Sequence, residues 1–158
     1  MADCMKLAEK ALYTLLLDSV GRAVSAGTLP AEPMNAFRIE VPADKSHGDF
    51  AANIAMVNAK AFRMPPRKIA EAICNELQLQ GTDFERAEIA GPGFLNFFLK
   101  QQWFSRTVET VLQEGDDYGR TETGAGKRIL VEFVSANPTG PMHVGNARGG
   151  ALGDSLAE

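Results

Sequence analysis

The sequence predicts an α+β domain followed by the first strand and helix of a nucleotide-binding α/β fold. Over residues 1–115, strand and helix patterns occur in runs rather than in strict alternation, which is typical of α+β folds. Residues 116–127 are polar and glycine-rich without an apolar period, as expected of a linker between two domains. Residues 128–158 indicate a buried strand, a loop and a helix, the arrangement that presents helix-terminal N–H groups to a phosphate.

The first domain is predicted to contain four helices and three strands. Its helices carry apolar residues at helical spacing, with Gly27 ending the first, Asp49 capping the second and Pro66 opening the third. Two of its strands form a hairpin around Gly91 and Gly93. The predicted helices are 5–26, 50–62, 66–80 and 101–112, and the predicted strands are 36–41, 85–90 and 94–99.

Composition and charge exclude several classes of protein. The 158 residues are 45% hydrophobic and 23% charged, which is ordinary for a globular domain. A net charge of −4 excludes a wholly basic nucleic-acid binder, so any such contact must be local. No apolar run approaches the ~18 residues of a membrane span, and residues 1–10 carry charges that argue against a signal peptide. Cys4 and Cys74 lack metal-site spacing and fit a reducing cytoplasm.

The loop after residue 134 lacks the standard phosphate-binding motifs. Gly140 and Gly145 have the glycine spacing of a P-loop, but Asn146 and Ala147 stand where its lysine and hydroxyl residue should be. No G-x-G-x-x-G occurs either. The remaining pattern is His143 followed by a glycine where a helix begins, one loop after an apolar strand.

This remaining pattern resembles a known signature. SANPTGPMHVGN is similar to the HIGH motif of class I aminoacyl-tRNA synthetases, with HVGN at residues 143–146, and VEFVSANPTGPMHVGNARGG closely resembles arginyl-tRNA synthetases. Asn146 departs from the usual second histidine, although an asparagine amide can donate a hydrogen bond as an imidazole does. Several further residues make the resemblance more specific than the four residues of the HVGN motif alone would be. They are Glu132, Ser135, Asn137, Pro138, Gly140, Pro141 and His143.

The resemblance covers nearly the whole chain. SHGDFAANIA, PPRKIAEAI and GPGFLNFFL are similar to the N-terminal additional domain of arginyl-tRNA synthetases. The resemblance implies that residues 1–115 pack helices on an antiparallel sheet and contact the outer, D-loop corner of tRNA. It also implies that residues 128–158 begin a Rossmann-type class I catalytic domain.

The resemblance further implies which residues bind each substrate. Displacement of pyrophosphate from ATP by a carboxylate spreads negative charge over phosphate oxygens, which positioned donors stabilise. His143 and Asn146 are the expected catalytic donors. No metal ligands are expected in the chain, and Mg²⁺ is expected to accompany ATP in the parent enzyme. The implied ATP-binding residues are His143, Gly145 and Asn146, and the implied arginine-binding residues are Glu132, Ser135, Asn137 and His143.

Two of these residues have structural alternatives. His143 could simply cap the backbone of its own helix. Glu132 interrupts an apolar strand, and a buried carboxylate costs several kcal/mol unless it is paired. A substrate guanidinium would suit it, because the planar fork of arginine matches a carboxylate; Lys127, Arg128 or Arg148 are alternative partners.

A basic cluster lies in the first domain, with four positive charges within nine residues around Pro65 and Pro66. Charge runs are usually solvated surface, whereas the resemblance favours contact with tRNA phosphates. Phe94, Phe97 and Phe98 are expected to fill the core rather than to stack on bases. The basic cluster comprises Lys60, Arg63, Arg67 and Lys68.

The resemblance implies a cytoplasmic parent enzyme that joins arginine to tRNA(Arg) with ATP, through an arginyl-adenylate. The 158 residues contain no KMSKS loop, so we expect a fragment that is inactive alone. A stand-alone tRNA-binding module and a nucleotide-binding regulatory protein are alternatives. The apolar strand at 128–134 lacks neighbours, so we expect it either to be disordered or, preferably, to pair with a second copy of the chain.

Overall fold

In the computed structural model, which describes residues 4–120, 122, 124–137 and 139–157, the chain forms two units built on different elements. The first unit, Met1–Arg120, is built on a β-sheet, and the second, Thr121–Glu158, is built on one helix. Pro138 of the predicted signature and Glu158 of the predicted last helix lie outside the described residues. In the part of the chain that is described, no helix is long and apolar enough to cross a membrane.

The sheet of the first unit has four antiparallel strands in the order β1-β2-β4-β3. The antiparallel sheet with packed helices implied by the resemblance is therefore confirmed. The strands are β1 (Ile39–Glu40), β2 (Phe50–Ala52), β3 (Phe84–Ala90) and β4 (Phe94–Leu99). The helices are α1 (Cys4–Ser25), α2 (Ile54–Phe62), α3 (Pro66–Asn75) and α4 (Gln101–Glu114), with short 3₁₀ turns at Lys45–His47 and Gly115–Asp117.

The core lies between the helices and one face of this sheet. Alternate residues of β4 belong to it, because successive side chains of a strand point to opposite faces. Phe84 packs edge-to-face on both Phe50 and Phe97, with ring centroids 6.2 and 5.8 Å apart. The helices contribute the fully buried Leu12, Leu16, Ile54, Ile69 and Ile73.

The second strand corrects a sequence prediction. Phe50 was expected in the first turn of a helix, but residues Phe50–Ala52 form β2, between β1 and β4. All three of its residues are buried, and a short apolar run of this kind does not distinguish a strand from a helix. The predicted strand at 36–41 is correspondingly reduced to the two residues of β1 that pair with β2.

Asp49 was predicted to cap a helix. In the structure it instead joins two strands. Its backbone N–H donates to the Phe97 carbonyl and its carboxylate accepts from the Leu99 N–H, both at 2.9 Å. The preceding Gly48 has φ +87°, and a Cβ there would lie 2.6 Å from the Phe97 carbonyl oxygen. Glycine at 48 therefore permits the close approach of this loop to β4.

The second unit confirms the predicted helix but not the predicted strand. Val144–Ala157 form α5. Residues 128–134 form no strand, and no described residue pairs with them. Ile129 and Leu130 are 76% and 93% exposed, and Val134 has φ +56°, which a β-branched residue rarely adopts. The Rossmann-type assignment and the pairing with a second copy therefore remain predictions.

Two glycines of α5 permit close packing within the second unit. A Cβ at Gly153 would overlap the Phe133 side chain, and a Cβ at Gly150 would lie 3.0 Å from Val134 Cγ2. At Gly149, by contrast, a Cβ would meet no atom within 4 Å.

Candidate functional site

His143 is the N-cap of α5 and folds its own side chain onto the helix start. Its Nδ1 accepts a hydrogen bond from the Gly145 N–H at 3.1 Å, while its carbonyl accepts from Asn146 N–H at 2.9 Å. His143 therefore does cap the backbone of its own helix, which was the structural alternative considered for this residue. Because Nδ1 is an acceptor, the ring proton of the neutral imidazole is assigned to Nε2, which is left free to donate.

Asn146 in turn binds the backbone of His143. Its Oδ1 accepts from the His143 backbone N–H at 3.1 Å, so the two residues satisfy one another as in a capping box. This use of Oδ1 leaves the two N–H donors of the Nδ2 amide group for other acceptors. The HVGN residues therefore present an imidazole N–H and an amide NH₂ at a helix N-terminus, where the helix dipole favours anions.

A cavity of about 370 Å³ adjoins these donors. It is bounded by the start of α5 and by the apolar Val134 and Met142. None of the proposed arginine-binding residues other than His143 lines it. The full lining is Val134, Met142, His143, Val144, Asn146, Ala147 and Gly150.

Glu132 and Ser135 form a separate pair in the second unit. The Ser135 hydroxyl donates to Glu132 Oε1 at 2.5 Å, and both residues are exposed, as is Asn137. The expected burial of Glu132 is therefore wrong, because residues 128–134 form no sheet that could cover it. Within the described residues its carboxylate forms no ion pair, so none of the suggested basic partners holds it.

The basic cluster of the first unit lies at the corner between α2 and α3. All four side chains are exposed, and Arg63 ends α2 in the left-handed conformation. Only Arg67 has an acidic partner among the described residues, Glu71 at 3.5 Å. The other three cations are thus available to an external anion.

This corner touches the turn between β3 and β4. The Arg67 guanidinium donates to the Gly91 carbonyl at 3.5 Å, and a Cβ at Gly93 would lie 2.9 Å from Pro66. The turn therefore packs directly against the start of α3. Gly91 also belongs to the lining of a cavity on the other face of the sheet, so the basic cluster and that cavity are neighbours.

The cavity on the outer face of the sheet measures about 550 Å³. Asn96 contributes to it from the middle of β4 and is only 5% exposed, yet its side-chain amide has no hydrogen-bond partner among the described residues. Asn96 was not identified from the sequence, although a polar residue between Leu95 and Phe97 was a usable signal. The lining comprises Glu40, Pro42, Ala43, Asp44, His47, Ala51, Ala90, Gly91, Phe94 and Asn96.

The three hairpin phenylalanines divide between the two faces. Phe97 is fully buried in the core, as expected. Phe94 and Phe98 lie on the outer face and are only half-buried, so the expectation that they fill the core is wrong. The Arg86 guanidinium lies 3.5 Å from the Phe98 ring centre, a cation–π contact.

The loop beside this cavity is held by Asp44. Its carboxylate accepts from the Ser46 N–H at 2.9 Å, and this backbone hydrogen bond, followed by a side-chain hydrogen bond with Ser46, lowers the pKa of Asp44.

No group of three His, Cys, Asp or Glu side chains among the described residues is arranged to hold a metal ion.

Comparison with known proteins gives a consistent family. The profile described as Arginyl tRNA synthetase N terminal domain matches residues 14–99, more than half of the chain. A protein named arginine–tRNA ligase from Caldanaerobacter subterraneus subsp. tengcongensis is 47% identical over 157 residues, which is 99% of this chain and 28% of that protein. One of the same name from Desulforamulus reducens is 52% identical over 149 residues, or 94% of this chain and 27% of that protein.

A solved structure shares the fold. The crystal structure of arginyl-tRNA synthetase from Plasmodium falciparum matches 94% of this chain and 27% of its own with a TM-score of 0.58, at 20% sequence identity. The chain therefore spans somewhat more than a quarter of the length of these relatives.

Proposed function

The chain belongs to the arginyl-tRNA synthetase N-terminal domain family, and from that premise we propose that its parent protein ligates arginine to tRNA(Arg) with ATP. The observation that carries this proposal is the extent of the similarity. The two relatives named arginine–tRNA ligase align over 157 and 149 residues, so both alignments include the first unit and the HVGN signature of the second. A stand-alone tRNA-binding module would need only the first.

We propose three segments with different roles. Residues 1–115 form the tRNA-contacting domain, residues 116–127 form a linker, and residues 128–158 begin the class I catalytic domain. The exposed basic cluster and the outer-face cavity support the first assignment because they adjoin one another at the β3–β4 turn. Cations bind phosphates without regard to sequence, whereas the Asn96 amide, which lines this cavity and has no hydrogen-bond partner among the described residues, suits the edge of an unstacked base.

We assign the chemistry of activation to the second unit. The arginine carboxylate attacks the α-phosphorus of ATP, forming arginyl-adenylate and expelling pyrophosphate. The His143 Nε2–H and the Asn146 amide donate to phosphate or ribose oxygens, and the helix N-terminus adds a favourable dipole. Mg²⁺ enters as part of the Mg·ATP substrate.

We assign the recognition of arginine to exposed polar residues that precede α5 in the sequence. The Glu132 carboxylate, oriented by the Ser135 hydroxyl, suits the bidentate geometry of a guanidinium. Ser135, Asn137 and His143 are assigned to the α-amino and carboxylate end. Cys4 and Cys74 are not joined in a disulfide, which suits the reducing cytoplasm in which we place the parent.

The test is pyrophosphate exchange by the parent protein with arginine, ATP and tRNA. Replacing one charge-stabilising donor typically costs a hundredfold or more in rate, so His143→Ala should lower exchange by about that factor. Ser155→Ala, which removes a hydroxyl farther along α5, should leave the rate unchanged. The 158-residue chain alone should give no exchange above its own His143→Ala variant. A parent without arginine-dependent exchange would contradict the proposal.

A further inference from the structure

The His143 imidazole occupies space that only a glycine at 145 leaves open. A Cβ on Gly145 would lie 3.0 Å from His143 Nδ1 and 2.9 Å from His143 Cε1, and the second distance is one that Cβ atoms essentially never show. The same imidazole accepts the Gly145 N–H at 3.1 Å. Gly145 thus provides both the donor that holds Nδ1 and the gap that admits the ring.

Asn146 fixes the other end of the same residue. Its Oδ1 binds the His143 N–H at 3.1 Å, which holds the backbone of His143 in the N-cap position. The imidazole can reach the Gly145 N–H only from that position. The ring is therefore held by two neighbours, one acting on its nitrogen and the other on its backbone.

We propose that Gly145 and Asn146 are positioning residues that hold the His143 imidazole in the Nε2–H tautomer, with Nε2–H available as a ready donor, before any nucleotide binds. This inference rests on the proposed function for its meaning, since the donor is the one assigned to ATP. It differs from a direct contact between Asn146 and the nucleotide, because the essential atom of Asn146 here is the acceptor Oδ1.

Replacing Gly145 with alanine tests the inference sharply. Alanine normally favours a helix, whereas the inference expects this alanine to displace the His143 imidazole. Inside a helix, alanine is more favourable than glycine. Gly145→Ala should therefore preserve or raise the helix content of the second unit while displacing the imidazole. Gly149→Ala is the matched control on the same helix, since a Cβ there would meet nothing within 4 Å.

The measurement is ¹⁵N NMR of the histidine side chains in the ligand-free 158-residue chain, at a pH where histidine is neutral. The chain has only two histidines, so a His47→Gln variant assigns the signals. The wild type and Gly149→Ala should show one Nε2–H tautomer of His143 with a hydrogen-bonded Nδ1. Gly145→Ala and Asn146→Ala should both lose the hydrogen-bond shift at Nδ1, and the Gly145 amide should exchange with solvent several-fold faster in Asn146→Ala.

Rescue separates positioning from direct contact. Asn146→Asp retains an acceptor at this position and removes both amide donors, so it should restore the wild-type Nδ1 signal and the slow Gly145 exchange. Wild-type His143 signals in Gly145→Ala, or signals in Asn146→Asp that match Asn146→Ala, would overturn the inference. If helix content by circular dichroism falls in Asn146→Ala but returns in Asn146→Asp, the acceptor role is supported.

The proposed function and the positioning inference would be refuted by different assays. The NMR measurements contain no nucleotide, so they judge the positioning of His143 whatever the parent catalyses. In the parent, Gly145→Ala should lower kcat for pyrophosphate exchange about tenfold, with a smaller change in KM for ATP. A parent without exchange, but with the expected NMR pattern, would refute the proposed function and leave the positioning inference supported.

Discussion

The two units of this chain contain similar apolar runs with opposite outcomes. In the first, FLNFF of β4 pairs with a strand on each side, and Phe97 is fully buried. In the second, ILVEFV has comparable composition, yet Leu130 is 93% exposed and no described residue pairs with the run. Composition thus predicts which segments could be strands, whereas pairing decides which segments become strands.

The difference follows from where the neighbours lie in the sequence. The β3–β4 hairpin supplies its own partner across a turn of three residues, Gly91–Gly93. Residues 128–134 were predicted as the first strand of a nucleotide-binding α/β fold, in which a parallel partner strand is joined by a long crossover. Local pairing is therefore easier to complete, and it is completed in the first unit.

The largest expected effect contrasts two apolar side chains. Phe97→Ala removes a fully buried ring that packs on Phe84, so it should lower the unfolding free energy by ~3–5 kcal/mol. Leu130→Ala should change it by less than ~0.5 kcal/mol, as at other exposed positions. Urea unfolding followed by the fluorescence of Trp103, the single tryptophan, reports on the first unit.

Equal losses from the two substitutions would show that residues near 130 support the fold of the first unit. If Phe97→Ala does not fold, Phe97→Leu should give a smaller loss of the same sign. Far-UV circular dichroism then confirms that the variant retains its helices.

Sequence reasoning succeeded where the pattern was long or was ended by a glycine or proline. It located α1, α4, α5, the hairpin and the start of α3 to within a few residues, but α3 ends at Asn75, five residues before its predicted end. It failed for β2, because three apolar residues between a glycine-containing loop and a helix carry no period of their own. It also placed Phe94 and Phe98 in the core, although strand alternation put only Phe97 there.

The candidate site shows a similar division. The resemblance identified HVGN, and the structure brings His143, Gly145 and Asn146 together at the start of α5. The reciprocal cap depends on side-chain rotamers, which the letters of a motif do not reveal. Asn96 was overlooked because its importance depends on its place in the lining of the outer-face cavity, which exists only once the sheet has formed.

The second prediction asks which unit carries the charge that would bind tRNA if the proposed function is correct. Replacing the basic cluster with alanine should weaken tRNA binding by the parent roughly tenfold to a hundredfold and make its salt dependence shallower, because fewer counterions are released. Replacing Lys127, Arg128 and Arg148 in the second unit is the control and should have a smaller effect. Filter binding at several salt concentrations measures both quantities. Unchanged affinity and slope would return the basic cluster to the solvated-surface interpretation.

The third prediction concerns the loop between β1 and β2, which approaches β4 at Gly48. Gly48→Ala forces a Cβ toward the Phe97 carbonyl at positive φ, so the first unit should lose about 1–3 kcal/mol of unfolding free energy. Gly21→Ala lies within α1 with open space around it and should instead gain up to about 1 kcal/mol. Thermal unfolding of the two variants should therefore shift in opposite directions. Shifts of the same sign would mean that the approach of Gly48 to β4 is not required.

The smallest effect uses thiol chemistry to compare the two units. Burial raises the pKa of Cys74 to about 11, from an ordinary value of 9.0. At pH 8 this leaves about a hundredfold less thiolate than an ordinary thiol has, partly offset by the greater nucleophilicity of the more basic thiolate. In a Cys4→Ser background, alkylation of Cys74 should be about tenfold slower in the native chain than in urea, and it should accelerate as pH rises toward 11. Cys74→Ala combined with Leu130→Cys places the thiol at an exposed position, so native and urea rates should agree within about twofold. Protection of the thiol at 130 equal to that at Cys74 would show that residues 128–134 are covered in solution and would remove the contrast between the two units.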